Sequence, residues 1–307
     1  MIVRRRGRWW LSMPRLKADF VADWIDHLQQ EMINEGGWPA KEMAGFDDRD
    51  VRERYFDAWR LRRRIPAMSR RVRVATEFTC PQVHQAAWET LQHEVRTGTD
   101  INPRLSTGHA SLSNPDGLLA ELGVHHFHLG TGQSPENPAY VARTRVLLFA
   151  FVTDADFCAI NVYDHRSFED LSVLEIIHRN WPELIRQYRV LGVTGGHWTA
   201  DQRRDLRRGN GNILTAVADG TVYMPITGGV MASGVNAEAV RLADYWKMRV
   251  QELQKAFESK LEELLPTLHE HGYAEEPEVD AQLRFPDGSA HVFFPKYGVS
   301  VIIAGWP

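Results

Sequence analysis

The sequence of 307 residues contains little cysteine and no long apolar run. Its two cysteines are Cys80 and Cys158, and Cys158 stands within an apolar segment, so no disulfide framework is expected. The predicted compartment is therefore a reducing cytoplasm. Because no run reaches about 18 apolar residues, neither a transmembrane helix nor a membrane partner is expected. The N-terminal segment is basic and lacks the apolar stretch of a secretory signal.

Several catalytic signatures are also missing. The chain contains no Gly-x-Ser-x-Gly elbow, no phosphate-binding loop and no dinucleotide fingerprint. It contains neither Cys-x-x-Cys nor His-Glu-x-x-His, the common short zinc signatures. These absences argue against the corresponding hydrolases and nucleotide-binding enzymes, and the sequence predicts no cofactor and no metal.

What is present is an ordinary globular composition with an uneven charge. Hydrophobic residues make up 43% of the chain and charged residues 25%, and the net charge is −4. Residues 1–75 hold 17 lysines and arginines against 11 acidic residues, whereas the remainder holds 19 against 29. A basic N-terminal third on an acidic body indicates a polyanion contact, an internal electrostatic interface, or only solvated helix faces.

The apolar periodicity predicts an α+β fold in three parts. Residues 1–100 form a basic, mainly helical region, and 101–193 form a small mixed α/β core sheet. Residues 194–307 carry strand–turn units and one long helix over 237–269. That helix has a near-heptad stripe that fits either core packing or a homodimer seam. The stripe consists of Trp246, Val250, Leu253, Phe257, Leu261 and Leu264.

A histidine-rich strand over 124–129 is the most informative segment. Side chains alternate on a strand, so His126 and His128 share one face while His125 lies on the other. Two apolar strands follow, preceded by two arginines and closed by a further histidine. Imidazole moves protons near neutral pH and guanidinium holds phosphate, which suits cleavage of a phosphodiester. The candidate catalytic residues are His126, His128, Arg143, Arg145 and His165.

Residues 118–166 resemble the core of the RelE and HigB type toxins, which belong to the wider group of barnase-like ribonucleases. The resemblance rests on the segment Arg-Val-Leu-Leu-Phe-Ala-Phe-Val at 145–152, the apolar strand at 157–162, and the position of His165 after it. It implies a bacterial, metal-independent endoribonuclease of toxin or phage-defence type.

The resemblance also implies a mechanism. A base takes the proton of an RNA 2′-hydroxyl, the oxygen attacks phosphorus, and an acid protonates the leaving 5′-oxygen. His128 and His165 are the interchangeable base and acid, with His126 in reserve, and Arg143 or Arg145 neutralises the phosphoryl charge. The backbone of the RNA would follow an exposed basic patch. That patch is predicted to consist of Arg62, Arg63, Arg64, Arg70, Arg71 and Arg73.

Two other interpretations stay open. His126 and His128 could bind zinc or iron together with His165, Asp164 or His178, as in a metal-dependent hydrolase or nuclease. Alternatively, the histidines are packed and hydrogen-bonded, and the chain is a non-catalytic assembly or interaction protein built around its long helix.

Overall fold

A computed structural model describes residues 3–5, 8–10, 13–114, 116–164, 172–196 and 198–304. The fold is α+β, as the sequence predicts. The chain divides into two units: Met1–Tyr55 with Arg241–Pro307, and Phe56–Val240. Both predicted domain boundaries, after residues 100 and 193, fall inside the second unit.

The helices and strands have the following bounds. The helices are α1 (Phe20–Asn34), α2 (Ala40–Met43), α3 (Asp48–Arg60), α4 (Gln85–Thr97), α5 (Gly117–Leu122), α6 (Ser172–Asn180), α7 (Pro182–Ile185), α8 (Ala200–Arg208), α9 (Ala237–Ser259) and α10 (Leu261–Glu270). The strands are β1 (Val3–Arg5), β2 (Arg8–Trp10), β3 (Arg15–Lys17), β4 (Arg71–Val74), β5 (Val124–His128), β6 (Val146–Val152), β7 (Asp156–Asp164), β8 (Arg189–Val190), β9 (Thr215–Ala216), β10 (Val222–Tyr223), β11 (Glu278–Asp280), β12 (Gln282–Arg284), β13 (His291–Phe294) and β14 (Val299–Ile302).

The second unit is built on a four-stranded sheet in the order β4-β7-β6-β5. Strand β4 runs parallel to β7, whereas β7, β6 and β5 are antiparallel neighbours. The prediction that the segments 124–129, 145–152 and 157–162 lie in one sheet is therefore confirmed. The short turn after β6 leads directly into β7, whereas β5 pairs with β6 across the longer loop 129–145.

Both faces of this sheet are covered by helices at β6 and β7. Side chains on both faces of these strands are therefore apolar, and their sequences are nearly continuous apolar runs. One face packs on α4, and the other packs on α6 and α7. The α4 side contains Trp88, Leu91, Phe127, Leu148, Ala150, Phe157 and Ala159. The opposite side contains Leu147, Phe149, Cys158, Ile160, Ile177 and Trp181. Burial of this apolar area is the main source of the stability of the second unit.

The first unit combines α1 with small sheets. Asp19 caps α1 by accepting a hydrogen bond from the backbone N–H of Ala22 at 3.0 Å. The buried side of α1 follows helical spacing and consists of Phe20, Trp24, Ile25, Leu28 and Met32. Strands β12, β13 and β14 form an antiparallel sheet, and β3 pairs in parallel with β11.

The sequence predicted one long helix over 237–269, and this prediction is wrong. The structure has two helices in this segment, α9 and α10, separated at Lys260. Lys260 departs from helical geometry, with φ −107° and ψ 13°. Just before it, the hydroxyl of Ser259 donates to the carbonyl of Ala256 at 2.9 Å and competes with the helical hydrogen bonds. The predicted stripe is only partly buried. Val250, Phe257 and Leu261 are buried, whereas Trp246, Leu253 and Leu264 are half-buried.

Candidate functional site

Strand β5 is an edge strand of the main sheet, and its histidines alternate between the two faces as predicted. The ring of His126 lies near Phe149, on the α6 side, with ring centroids 6.4 Å apart. Its Nδ1 is 3.7 Å from Oδ2 of Asp116, the residue that caps α5. The ring of His125 lies on the same face as Phe127.

His128 is buried, with 5% of its surface exposed. Its Nδ1 accepts the backbone N–H of Thr144 at 3.0 Å, which leaves the ring proton of a neutral imidazole on Nε2. This contact ties β5 to the end of the loop that leads into β6 and gives His128 a role in the fold. Its predicted partner His165 lies outside the described residues, so their pairing stays a prediction.

The two predicted catalytic arginines have different surroundings. Arg145 is exposed, and no hydrogen bond or ion pair joins it to another described residue. Arg143 is half-buried and donates from Nη1 to the carbonyl of Leu105 at 2.7 Å. Its guanidinium carbon lies 4.8 Å from the centre of the Tyr140 ring. The Nη2 of Arg143 is buried and has no hydrogen-bond partner in the described part of the chain.

The structure brings Arg143 together with Tyr140 and His109, which the sequence did not single out. The ring of Tyr140 meets that of His109 edge-on, with centroids 5.8 Å apart. Burial lowers the pKa of His109, and the positive charges of Arg64 and Arg143 lower it further, against a hydrogen bond to Ser106 that raises it. We name Arg64, His109, Tyr140 and Arg143 the basic–aromatic cluster.

The orientation of His109 follows from one short turn. It lies in the 3-10 turn Thr107–Ala110, where the side chain of Ser106 accepts from the N–H of Gly108. The Nδ1 of His109 is 2.6 Å from the carbonyl oxygen of Ser106. A carbonyl only accepts, so Nδ1 carries the proton and Nε2 keeps a lone pair. No described residue hydrogen-bonds to that Nε2.

Two loop segments are held beside the edge of the sheet, and this places the cluster. Leu105 forms an isolated antiparallel bridge with Phe127 of β5. The backbone N–H of Val141 donates to the carbonyl of Pro103 at 3.0 Å. The loop containing His109 and the loop containing Tyr140 and Arg143 are therefore joined. In the sequence, the cluster is indicated locally only by His109 in a turn rich in glycine and serine. That pattern does not predict which residues contact the histidine.

The prediction of an exposed arginine patch is wrong for Arg63 and Arg70, which are buried. Arg63 pairs with Asp57 at 3.1 Å and donates to the carbonyls of Ser111 and Asn114. Arg70 donates to the carbonyls of Thr153, Pro66 and Met68. A guanidinium has five donors, so each of these arginines satisfies several loop carbonyls at once.

Three more of the six arginines form ion pairs, and only Arg71 is fully exposed. Arg71 binds Asp156 through two hydrogen bonds of 2.7 and 3.1 Å. Arg73 donates to Glu183 at 2.8 Å, and Arg62 pairs with Asp154 at 3.0 Å. Arg64, half-buried, belongs to the basic–aromatic cluster. RNA binding through these six residues stays a prediction.

The proposed metal ligands do not gather in the part of the chain that the structure describes. Within those residues, no three His, Cys, Asp or Glu side chains come together as a metal site would require. His178 has both ring nitrogens engaged. Its Nδ1 is 2.8 Å from the hydroxyl of buried Tyr223, and its Nε2 is 3.1 Å from Asp219. Arg189 also donates to that hydroxyl, at 3.2 Å.

Of the helices described, none combines the length and the apolar character needed to cross a membrane. No protein-family model, no curated protein and no solved structure matches this chain.

Proposed function

We propose that the protein is a metal-independent endoribonuclease of toxin or phage-defence type, and that the basic–aromatic cluster is its cleavage site. One observation carries this proposal: the guanidinium of Arg143 lies against the ring of Tyr140, which meets the imidazole of His109 from another loop, and the charge of Arg64 acts on that imidazole. Guanidiniums bind phosphate through charge-assisted hydrogen bonds, and an imidazole is the usual proton carrier near neutral pH. The resemblance of residues 118–166 to the RelE and HigB type toxins points to the same chemistry.

Each member of the cluster has a role in this reaction. The lone pair of His109 Nε2 takes the proton of the 2′-hydroxyl, and the resulting oxygen attacks phosphorus. The bond from phosphorus to the 5′-oxygen breaks, leaving a 2′,3′-cyclic phosphate. The leaving oxygen takes a proton from an acid, for which the hydroxyl of Tyr140 is the candidate. Arg143 and Arg64 neutralise the charge that builds on the phosphoryl oxygens.

The lowered pKa of His109 suits a base. Burial and the two neighbouring cations favour the neutral imidazole, which is the form that accepts a proton at neutral pH. Binding of a phosphodiester would offset the two positive charges and raise the basicity of Nε2 when the substrate is present.

We further propose that the enzyme acts in the cytoplasm as a homodimer through the helical segment 237–269. Tyr245 and Met248 are exposed on α9, and Trp246 and Leu253 are half-buried there. Exposed apolar side chains on one helix are typical of a partner surface. Arg71 and Arg145 are the exposed arginines available for contact with the RNA backbone.

The test is RNA cleavage by the purified chain in EDTA, with detection of 2′,3′-cyclic phosphate ends. We expect cleavage in chelator, and a fall of about 100-fold or more for His109→Ala and for Arg143→Gln. The matched controls are His93→Ala, an exposed histidine of α4, and Arg208→Gln, an exposed arginine of α8, and both should cleave within about twofold of the native rate.

Two results would overturn this assignment. Full activity in the double variant His109→Ala, Arg143→Gln would remove the cluster from the reaction. Loss of activity in chelator with rescue by zinc or manganese would instead favour the metal-dependent site at His126 and His128.

A further inference from the structure

A cavity of about 230 Å³ lies in the second unit, where β5 begins and β6 ends. Its apolar wall includes Phe151, Leu184 and Ile226. Its polar lining includes Arg60, Arg62 and His125. Polar and apolar groups share the lining about equally, and pockets that bind small molecules combine an apolar wall with polar groups in fixed positions. The cavity uses no residue of the basic–aromatic cluster.

His125 lines this cavity and has a buried acceptor without a partner among the residues described. The residue is 4% exposed, and its Nε2 is 3.0 Å from the carbonyl oxygen of Arg62. Because a carbonyl only accepts, Nε2 carries the proton and Nδ1 is left with a lone pair. That Nδ1 is buried and has no hydrogen-bond partner among the residues described. Buried polar atoms are rarely left in this state, so a ligand with a hydrogen-bond donor fits the site.

The residue that holds His125 is itself in an unusual conformation. Arg62 has φ 48°, in the left-handed region that residues other than glycine rarely occupy. Its carbonyl accepts from His125, and its side chain is fixed by the ion pair with Asp154 at 3.0 Å. This conformation ends α3 as a Schellman cap, in which the N–H of Arg62 donates to the carbonyl of Trp59 at 3.1 Å and the N–H of Arg63 donates to the carbonyl of Ala58 at 3.0 Å.

Arg60 supplies an available positive charge in the same cavity. It lines the cavity beside Arg62, yet no hydrogen bond or ion pair joins it to another described residue. The charge of Arg62, by contrast, is already paired with Asp154. An anionic group on a ligand would therefore bind to Arg60, through two parallel hydrogen bonds if it is a carboxylate.

We propose that this cavity binds a small single-ring aromatic anion that carries a hydroxyl or ring N–H. The donor bonds to Nδ1 of His125, the ring packs on Phe151 and Ile226, and the anionic group binds Arg60. The volume favours one ring over a whole nucleotide, because drug-sized ligands occupy pockets of about 300–1,000 Å³.

The probe for this proposal is 4-hydroxybenzoate, with benzoate and phenol as comparisons. Benzoate lacks the donor and phenol lacks the anion. By calorimetry or NMR titration of the full chain, we expect 4-hydroxybenzoate to bind about tenfold more tightly than either. His125→Phe should remove the preference over benzoate, and Arg60→Gln should remove the preference over phenol. Arg208→Gln, an exposed arginine of α8, is the control and should change neither.

The comparison of probes on the native chain keeps the test decisive if His125→Phe fails to fold. Absence of saturable binding by 4-hydroxybenzoate would overturn the proposal, and so would equal binding of the three probes. Tighter binding of a nucleoside monophosphate than of 4-hydroxybenzoate would overturn the single-ring class. RNA cleavage by Arg60→Gln should stay at the native rate, which separates this site from the proposed cleavage site.

Discussion

The neighbouring histidines of β5 make different hydrogen bonds. His128 accepts a backbone N–H and supports the junction with β6, whereas His125 donates to a carbonyl and keeps a buried lone pair. The ring of His126 lies near Asp116. His109 lies in a turn outside this strand, and its Nδ1 is 2.6 Å from the carbonyl oxygen of Ser106. For histidine, the partner of each ring nitrogen decides the chemistry, and residue type alone does not.

The stability of the second unit should fall in acid because of His125. Burial lowers the pKa of His125 from 6.5 to about 4. Between pH 4 and pH 6.5, this histidine is therefore protonated in the unfolded chain and neutral in the folded chain. The stabilisation is complete above pH 6.5 and is lost as the pH falls towards 4. The lost free energy of unfolding is about 3 kcal/mol. Urea unfolding at several pH values measures it.

The matched comparison for this prediction uses His125→Gln and His93→Gln. The slope of unfolding free energy against pH between 4 and 6.5 should become shallower in His125→Gln only. An unchanged slope in that variant would show that His125 is protonated as easily in the folded chain as in the unfolded one.

At the scale of elements, α5 and α8 are joined by a buried charge network. Glu121 of α5 accepts from Nη2 of Arg203 at 2.7 Å and from Nε of Arg207, both on α8. Arg203 is almost fully buried and also reaches the hydroxyl of Thr215 in β9, at 3.3 Å. The carboxylate of Glu121 thus offsets positive charge on two guanidiniums, and burial of such charges is costly.

Glu121→Gln should destabilise the second unit by about 3 kcal/mol, because it removes the negative charge that pairs with buried Arg203 and with Arg207. Denaturant unfolding at pH 7 measures the change. Glu262→Gln, an exposed acid of α10, serves as the control and should change the unfolding free energy by less than about 0.5 kcal/mol. Equal effects of the two substitutions would contradict a structural role for the network.

At the scale of the whole molecule, each of the two units contains sheets of its own. In the first unit, α9 and α10 contribute Val250, Phe257 and Leu261 to the buried interior. The remaining stripe positions are half-buried, and exposed Tyr245 and Met248 lie on the same helix. This pattern is compatible with core packing on one side of α9 and a partner on another.

Light scattering tests the homodimer. We expect twice the mass of one chain, 35.1 kDa, for the native protein and a single-chain mass for Leu253→Lys, because a lysine at the seam would bury a charge. Lys255→Glu, an exposed position of α9, is the control and should stay dimeric. A native protein with the mass of one chain would leave core packing as the only role of the stripe.

Local patterns determined part of this protein from sequence. The α+β class, the shared sheet of the three central strands and the alternation of His125, His126 and His128 follow from periods of 2 and 3.6 residues, which act between near neighbours in the chain. The apolar runs of β6 and β7 identify strands covered on both faces, because an exposed face would need alternating polar residues.

The tertiary structure alone decided which polar groups meet. Arg63 and Arg70 are buried because loop carbonyls distant in sequence surround their guanidiniums, and no local pattern encodes those acceptors. Arg143 joins His109 and Tyr140 because bridges at the edge of β5 hold two loops together. Hydrogen bonds and ion pairs depend on distance in space, so a sequence shows which donors and charges exist, while the fold selects their partners.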